Sequence, residues 1–201
     1  LVYFKQYIMK GILILAQPRS GSTNLLQSLA RRYNLKWHNE PEKAYKFTPN
    51  NKLHLRGVKP SMSVSKMILG QWDSLTADEY GSIIAPEYEE VVVLMRRNLK
   101  EQTESFSYLL SANNPTRMMS TEPWDAKKLD TLPKEHIDFS RRGLLASYVD
   151  GVRLREEYGF TQVWYEDIYV NRKFLHPTLE LDWDYLDSTR RARVSIPTTL
   201  I

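Results

Sequence analysis

Ile12-Leu13-Ile14-Leu15-Ala16 runs without a polar residue into Gln17-Pro18-Arg19-Ser20-Gly21, and a helical pattern follows at once. This order constrains the fold more than any other feature of the chain. An unbroken apolar run of that length reads as a strand covered on both faces, as in parallel sheets. Leu25, Leu26, Leu29 and Tyr33 then recur on one helical face. The basic, apolar start of the chain leads into this strand and is not read as a signal peptide. Leu1 in place of a methionine implies that a few native residues precede it.

The same alternation continues. Leu53–Val58 is a weaker strand candidate, and Thr76 with Glu79 forms a capping box opening a short helix that stops before Pro86. Val91-Val92-Val93-Leu94-Met95 is a second strong strand. Asn98, with Glu101 three positions on, caps a helix whose stripe is Leu99, Thr103, Phe106 and Leu110. Residues 113–135 are polar and contain proline, which fits a long loop or lid. Leu144, Leu145, Tyr148, Val149 and Val152 mark another helix, with Gly159 as its C-terminal cap, and Phe160–Tyr165 is a third strand. Alternating strands and helices predict an α/β fold, a single domain over residues 1–201 with a central parallel sheet flanked by helices. Ligands of such sheets bind at the carboxyl ends of the strands.

The composition, 42% hydrophobic and 26% charged, is that of a soluble globular protein. With no cysteine, the chain has no disulfide, thiolate nucleophile or cysteine-ligated metal, which fits a reducing, cytoplasmic setting. The longest apolar run, Gly11–Ala16, is too short to span a bilayer, so no stable membrane insertion is expected. A net charge of +4 favours polyanionic ligands without choosing among them, and no nucleic-acid partner is expected. Four histidines, at 38, 54, 136 and 176, lack metal-ligand spacing, so no metal is expected.

The segment Pro18-Arg19-Ser20-Gly21-Ser22-Thr23 carries the clearest chemistry. Backbone N–H groups at the start of a helix have no intrahelical partners, and the helix dipole favours an anion there. Gly21 allows close approach of a phosphate, Ser20, Ser22 and Thr23 offer hydroxyls, and Arg19 offers a forked cation. A plain serine-rich helix cap is the alternative. A nucleotide-kinase loop would need G-x-x-x-x-G-K-S/T. Ala16 replaces its first glycine and Ser22 its lysine, which argues against phosphoryl transfer.

This segment resembles the 5′-phosphosulfate loop of the sulfotransferases that use 3′-phosphoadenosine 5′-phosphosulfate (PAPS). The resemblance extends to Arg97 and Ser105, eight residues apart after a strand, as in that family's 3′-phosphate motif, and to Tyr165-Glu166-Asp167. It implies a P-loop-like sulfotransferase fold, with Arg19, Ser20, Gly21, Ser22 and Thr23 on the 5′ end of PAPS and Arg97 with Ser105 on its 3′-phosphate. It places Tyr165 near the adenine, and core packing is the equal alternative for that side chain. Asn24 stands where many members stack an aromatic, and the family's glycine-rich C-terminal segment is missing. Asp187–Arg193 is either its substitute or a basic surface tail.

Sulfuryl transfer needs a base for the acceptor proton and cations for the leaving oxygen. Arg19 is the first cation, and Lys59, after the Leu53–Val58 strand, the second. Many members carry lysine-x-histidine there, whereas this chain has Lys59-Pro60-Ser61, so the usual histidine base is absent. Glu40 and His38 remain as candidates, Glu40 preferred, with no protein base as the third case. The expected activity is transfer to a hydroxyl or amine. Met118, Met119 and Trp124 either line an apolar acceptor pocket or lie in the core, and small-molecule, sugar, lipid and peptide acceptors stay open. The competing functions are a non-catalytic adenosine-phosphate binder on the same scaffold and a small-molecule kinase.

Overall fold

A computed structural model describes residues 11–40, 59–70, 75–111 and 134–194. β1 (Ile12–Ala16) is fully buried over all five residues. Its side chains alternate between two cores, Ile12, Ile14 and Ala16 on one face and Leu13 and Leu15 on the other. β2 (Lys36–Asn39), β3 (Ser63–Ile68), β4 (Glu90–Met95) and β5 (Thr161–Trp164) complete a five-stranded sheet in the order β2-β3-β1-β4-β5. Every pairing is parallel.

The first face is covered by α1 (Ser22–Tyr33), with α6 (Trp183–Val194) packed beside it. The second is covered by α2 (Ala77–Glu79), the π turn that continues it over Tyr80–Ile84, and α4 (Lys134–Tyr158). α3 (Leu99–Ser111) packs against α4, and α5 (Tyr165–Tyr169) follows β5 directly. Among the described residues no helix is long and apolar enough to cross a membrane.

The local signals act as the sequence dictates. Thr76 and Glu79 form the reciprocal capping box. Asn98 Oδ1 accepts from Glu101 N at 3.1 Å and starts α3. Gly159, at φ 70°, ends α4, its N–H donating to Arg155 O.

Some expectations change, and others fall outside the described residues. The Leu53–Val58 strand lies outside the described residues, and the strand beside β1 is Ser63–Ile68, whose two serines and lysine hid it. β2 was not anticipated and contains His38. The helix stripes hold in part: Thr103 and Leu144 are buried and Tyr148 and Val152 pack against the core. Leu99, Leu145 and Val149 are exposed, while α4 buries Ser140, Leu144, Ser147, Gly151 and Leu154. Small residues face inward because the backbones meet closely: a Cβ on Gly151 would lie 2.9 Å from Met95 Sδ, and one on Gly70 2.8 Å from Ser147 N. Met118, Met119 and Trp124 lie outside the described residues, but Lys134 and Glu135, read as the end of a loop, open α4. Asp187–Arg193 is part of α6.

Ala16, Asn39, Ile68, Met95 and Trp164 all lie at the carboxyl edge of the sheet. The chain leaves β1 toward β2 on one side and leaves β4 toward β5 on the other. The loops after β1 and β4 therefore diverge around a crevice at that edge, where open α/β sheets bind ligands.

Candidate functional site at the carboxyl edge

The loop after β1 is held from behind by buried carboxamides. Gln17 is fully buried, its Oε1 accepting from Arg96 N at 2.9 Å and its Nε2 donating to Ser147 Oγ at 3.4 Å. Ser20 Oγ donates to Gln17 O at 2.7 Å, and Gln102 Nε2 donates to Pro18 O at 2.7 Å. Buried polar groups tied in this way fix a backbone path, since any other path would strand them without partners. Arg19 (φ 60°) and Gly21 (φ 76°) both take the left-handed conformation. Gly21 is the N-cap of α1 and has no side chain to cap it, and the first turn carries no acidic residue. The electropositive start of α1 therefore has no carboxylate of its own first turn to offset it.

Gly21 is fixed by packing as well as by φ. Tyr169 donates its hydroxyl to Gly21 O at 2.7 Å. A Cβ on Gly21 would lie 2.8 Å from Tyr169 Cε2 and 3.2 Å from Tyr165 Cδ2. Tyr165 and Tyr169 pack at 4.8 Å between centroids, and the Arg96 guanidinium sits 4.5 Å over the Tyr165 ring. Tyr165 thereby backs the loop, whichever ligand it meets.

Thr23 belongs to a second cluster. Lys66, in β3, donates from Nζ to Thr23 Oγ1 at 3.3 Å and to Glu40 Oε1 at 3.2 Å. Its side chain is only 4% exposed, so the ammonium is withdrawn from water at the loop itself. Glu40 reaches this point because the chain reverses after α1. Asn34 ends the helix at φ 54°, β2 runs back parallel to β1, and Glu40 N donates to Lys66 O at 2.8 Å. His38 lies within β2, where burial and then Lys36 lower its pKa.

Lys59 sits elsewhere. It precedes the 3₁₀ turn Pro60–Met62 that leads into β3, so it lies at the amino edge of the sheet, with β3 between it and the loop. Parallel register fixes this, because Val64 pairs with Ile12 while Ile68 pairs with Ala16. The buried cation at the loop is Lys66.

Arg97 and Ser105, expected together, have different partners. Ser105 Oγ accepts from Arg19 Nε at 2.9 Å. Arg97 forms a bidentate pair with Asp167 at 2.8 and 2.9 Å and lies 4.6 Å over the Trp164 ring. That pair raises the Arg97 pKa and holds the Asp167 carboxyl below its ordinary value, the hydrogen bond being the main cause of each shift. The Glu166 carboxylate accepts from the backbone N–H groups of Arg97 and Asn98.

Arg19, Ser20, Gly21, Ser22 and Thr23 thus share one loop and helix start with Lys66 and Glu40, and Arg97 and Tyr165 lie on the neighbouring β4 and β5 ends. Lys66, Gln102 and Tyr169 were missed in the sequence, and Gln17 and Asp167 were named there only as members of their segments. Lys66 left a signal, a lone charge in Ser63-Val64-Ser65-Lys66-Met67-Ile68, since a buried charge in a strand needs a partner or a task. Among the described residues no group of three or more acidic or histidine side chains is placed to hold a metal ion. No family model matches the chain, and a search of curated proteins gives no match either.

Proposed function

We propose that the chain is a PAPS-dependent sulfotransferase of P-loop-like architecture, moving a sulfuryl group to a hydroxyl or amine of a small-molecule, sugar or lipid acceptor. The observation that carries this reading is the buried Lys66, joined to Thr23 of the phosphate loop and to Glu40. An anion loop with a cation and a carboxylate at one point has the parts that in-line transfer requires. The loop backbone from Arg19 to Thr23 fits a 5′-phosphate, and Arg97 fits the 3′-phosphate.

PAPS supplies the electrophilic sulfur. Glu40 takes the proton from the attacking hydroxyl or amine as the new bond to sulfur forms. Lys66 and Arg19 offset the charge that grows on the bridging oxygen as its bond to sulfur breaks, and the bisphosphate leaves. Lys66 also supplies at the loop the cation that Ser22 cannot. Magnesium-dependent ATP hydrolysis or phosphoryl transfer would instead mark a kinase, and tight bisphosphate binding without turnover a binding protein.

The test is transfer of labelled sulfate from PAPS, with acceptors screened by mass spectrometry for gain of one sulfuryl group. Glu40→Gln should lower turnover about 10²–10⁴-fold with cofactor affinity nearly unchanged. Turnover in that variant equal to wild type would remove Glu40 from the reaction.

A further inference from the structure

Arg97 already holds an anion. Asp167 presents both carboxylate oxygens to the two terminal nitrogens of the guanidinium, in the forked geometry that a phosphate would also use. Next to it, Glu166 occupies the backbone N–H groups of Arg97 and Asn98 ahead of α3. Neighbouring residues at the start of α5 thus fill the junction between β4 and α3 with carboxylate oxygen. The arrangement is accessible, the Arg97 and Asp167 side chains being 48% and 24% exposed. Asp167 also has another partner at hand, since Asn171 Nδ2 donates to its Oδ1 at 3.3 Å. Arg97 would not drift if Asp167 let go, because the Trp164 ring lies beneath the guanidinium.

We propose that Asp167 is an internal substitute for the ligand's 3′-phosphate, displaced from Arg97 when a 3′-phosphorylated adenosine nucleotide binds. Asp167 then sets how strongly the site selects 3′-phosphorylated nucleotides over those with a free 3′-hydroxyl. The inference rests on the PAPS reading above. The displacement is physically reasonable because a phosphate dianion carries more charge into the same fork than a carboxylate does. What Arg97 contributes to affinity is the difference between two bidentate pairs, so the occupied state lowers the apparent affinity. Ligands without a 3′-phosphate leave the Arg97–Asp167 pair intact and gain nothing from Arg97.

The test is calorimetric titration of adenosine 3′,5′-bisphosphate and of 5′-AMP into wild type, Asp167→Asn, Arg97→Ala and the double variant. Asp167→Asn should tighten the bisphosphate about ten-fold and leave AMP unchanged, and the gain should vanish when Arg97 is also removed. Asp167→Ser repeats the measurement with a shorter side chain, in case asparagine itself holds the guanidinium. Bisphosphate affinity that is unchanged or weaker in both Asp167 variants overturns the proposal. So does a gain shared by AMP, or one that persists without Arg97, because either would be an effect of net charge alone. Failure of the PAPS reading looks different: no form of the protein would prefer the bisphosphate to AMP, and the proposal falls with it.

Discussion

Lys66 is the residue on which most of the proposed chemistry turns. Its ammonium is buried on a central strand, and such a charge persists only where partners satisfy it. Glu40 and Thr23 do so here. Lys66→Met keeps length and removes charge, so turnover should fall about 10²–10³-fold, the scale for losing one stabilising group at a developing charge. Because Lys66 and Glu40 act as a unit, adding Glu40→Gln should cost much less than the product of the two single effects. Single-turnover rates at saturating PAPS would measure this. Arg97→Ala should weaken bisphosphate binding by about 1.5 kcal/mol, roughly ten-fold, with AMP unaffected. The low end of the usual range applies because Asp167 competes for the same guanidinium. Equal weakening of both nucleotides would show that Arg97 does not read the 3′ position.

At the scale of elements, the polar stripe of α4 is the feature with the clearest energetic consequence. Ser140, Ser147 and Gly151 face inward because neighbouring backbone and Met95 approach closely. Gly151→Leu should destabilise the protein by about 1–3 kcal/mol through overpacking, although leucine is the better helix former. Urea denaturation would show a lower midpoint with an unchanged slope.

The same stripe explains what the sequence conceals. An amphipathic reading seeks large apolar residues, so it selects Leu145 and Val149, which are exposed, and passes over serines that pack. β1 and β4 were legible because each buries an unbroken apolar run. β3 was not, since Ser63, Ser65 and Lys66 break the pattern although all three are buried. The loop after β1 carries residue types that can be read locally, being six neighbours in the chain. Glu40 was expected there as the acceptor's base, but its pairing with Lys66 could not be read, because that depends on the register of β2 with β3. Nor could Asp167 be paired with Arg97, which lies seventy positions earlier.

For the molecule as a whole, the segment between α5 and α6 fastens the C-terminal part to the rest. Thr178 Oγ1 donates to Glu90, Arg31 pairs with Asp182, and Asp182 N donates to Ser28 Oγ. At its centre His176 accepts the N–H groups of Thr178 and Leu179 on Nδ1, a role that the neutral ring fills. Burial lowers the His176 pKa from its ordinary 6.5, and Glu90 opposes this only in part. The native state therefore favours the neutral ring. Its contribution to stability is intact above pH 6.5 and declines as pH falls below that value, where the unfolded chain takes up the proton first. His176→Asn, whose Oδ1 can accept the same bonds, should flatten thermal stability over the pH range just below 6.5. A wild-type profile already flat over that range would contradict the assignment.

The position of β1 at the centre of the sheet has a consequence for synthesis. Its first residue, Ile12, pairs with Val64 on one side and Glu90 on the other, partners that leave the ribosome long after it does. β1 emerges as five apolar residues with no neighbour in reach, followed by a glycine-containing loop that no later strand yet supports. The loop after β1 therefore takes its shape only after β4 has arrived and Arg96 N has bonded to Gln17. Until then the nascent chain exposes a bare, strand-forming segment of the kind that chaperones cover.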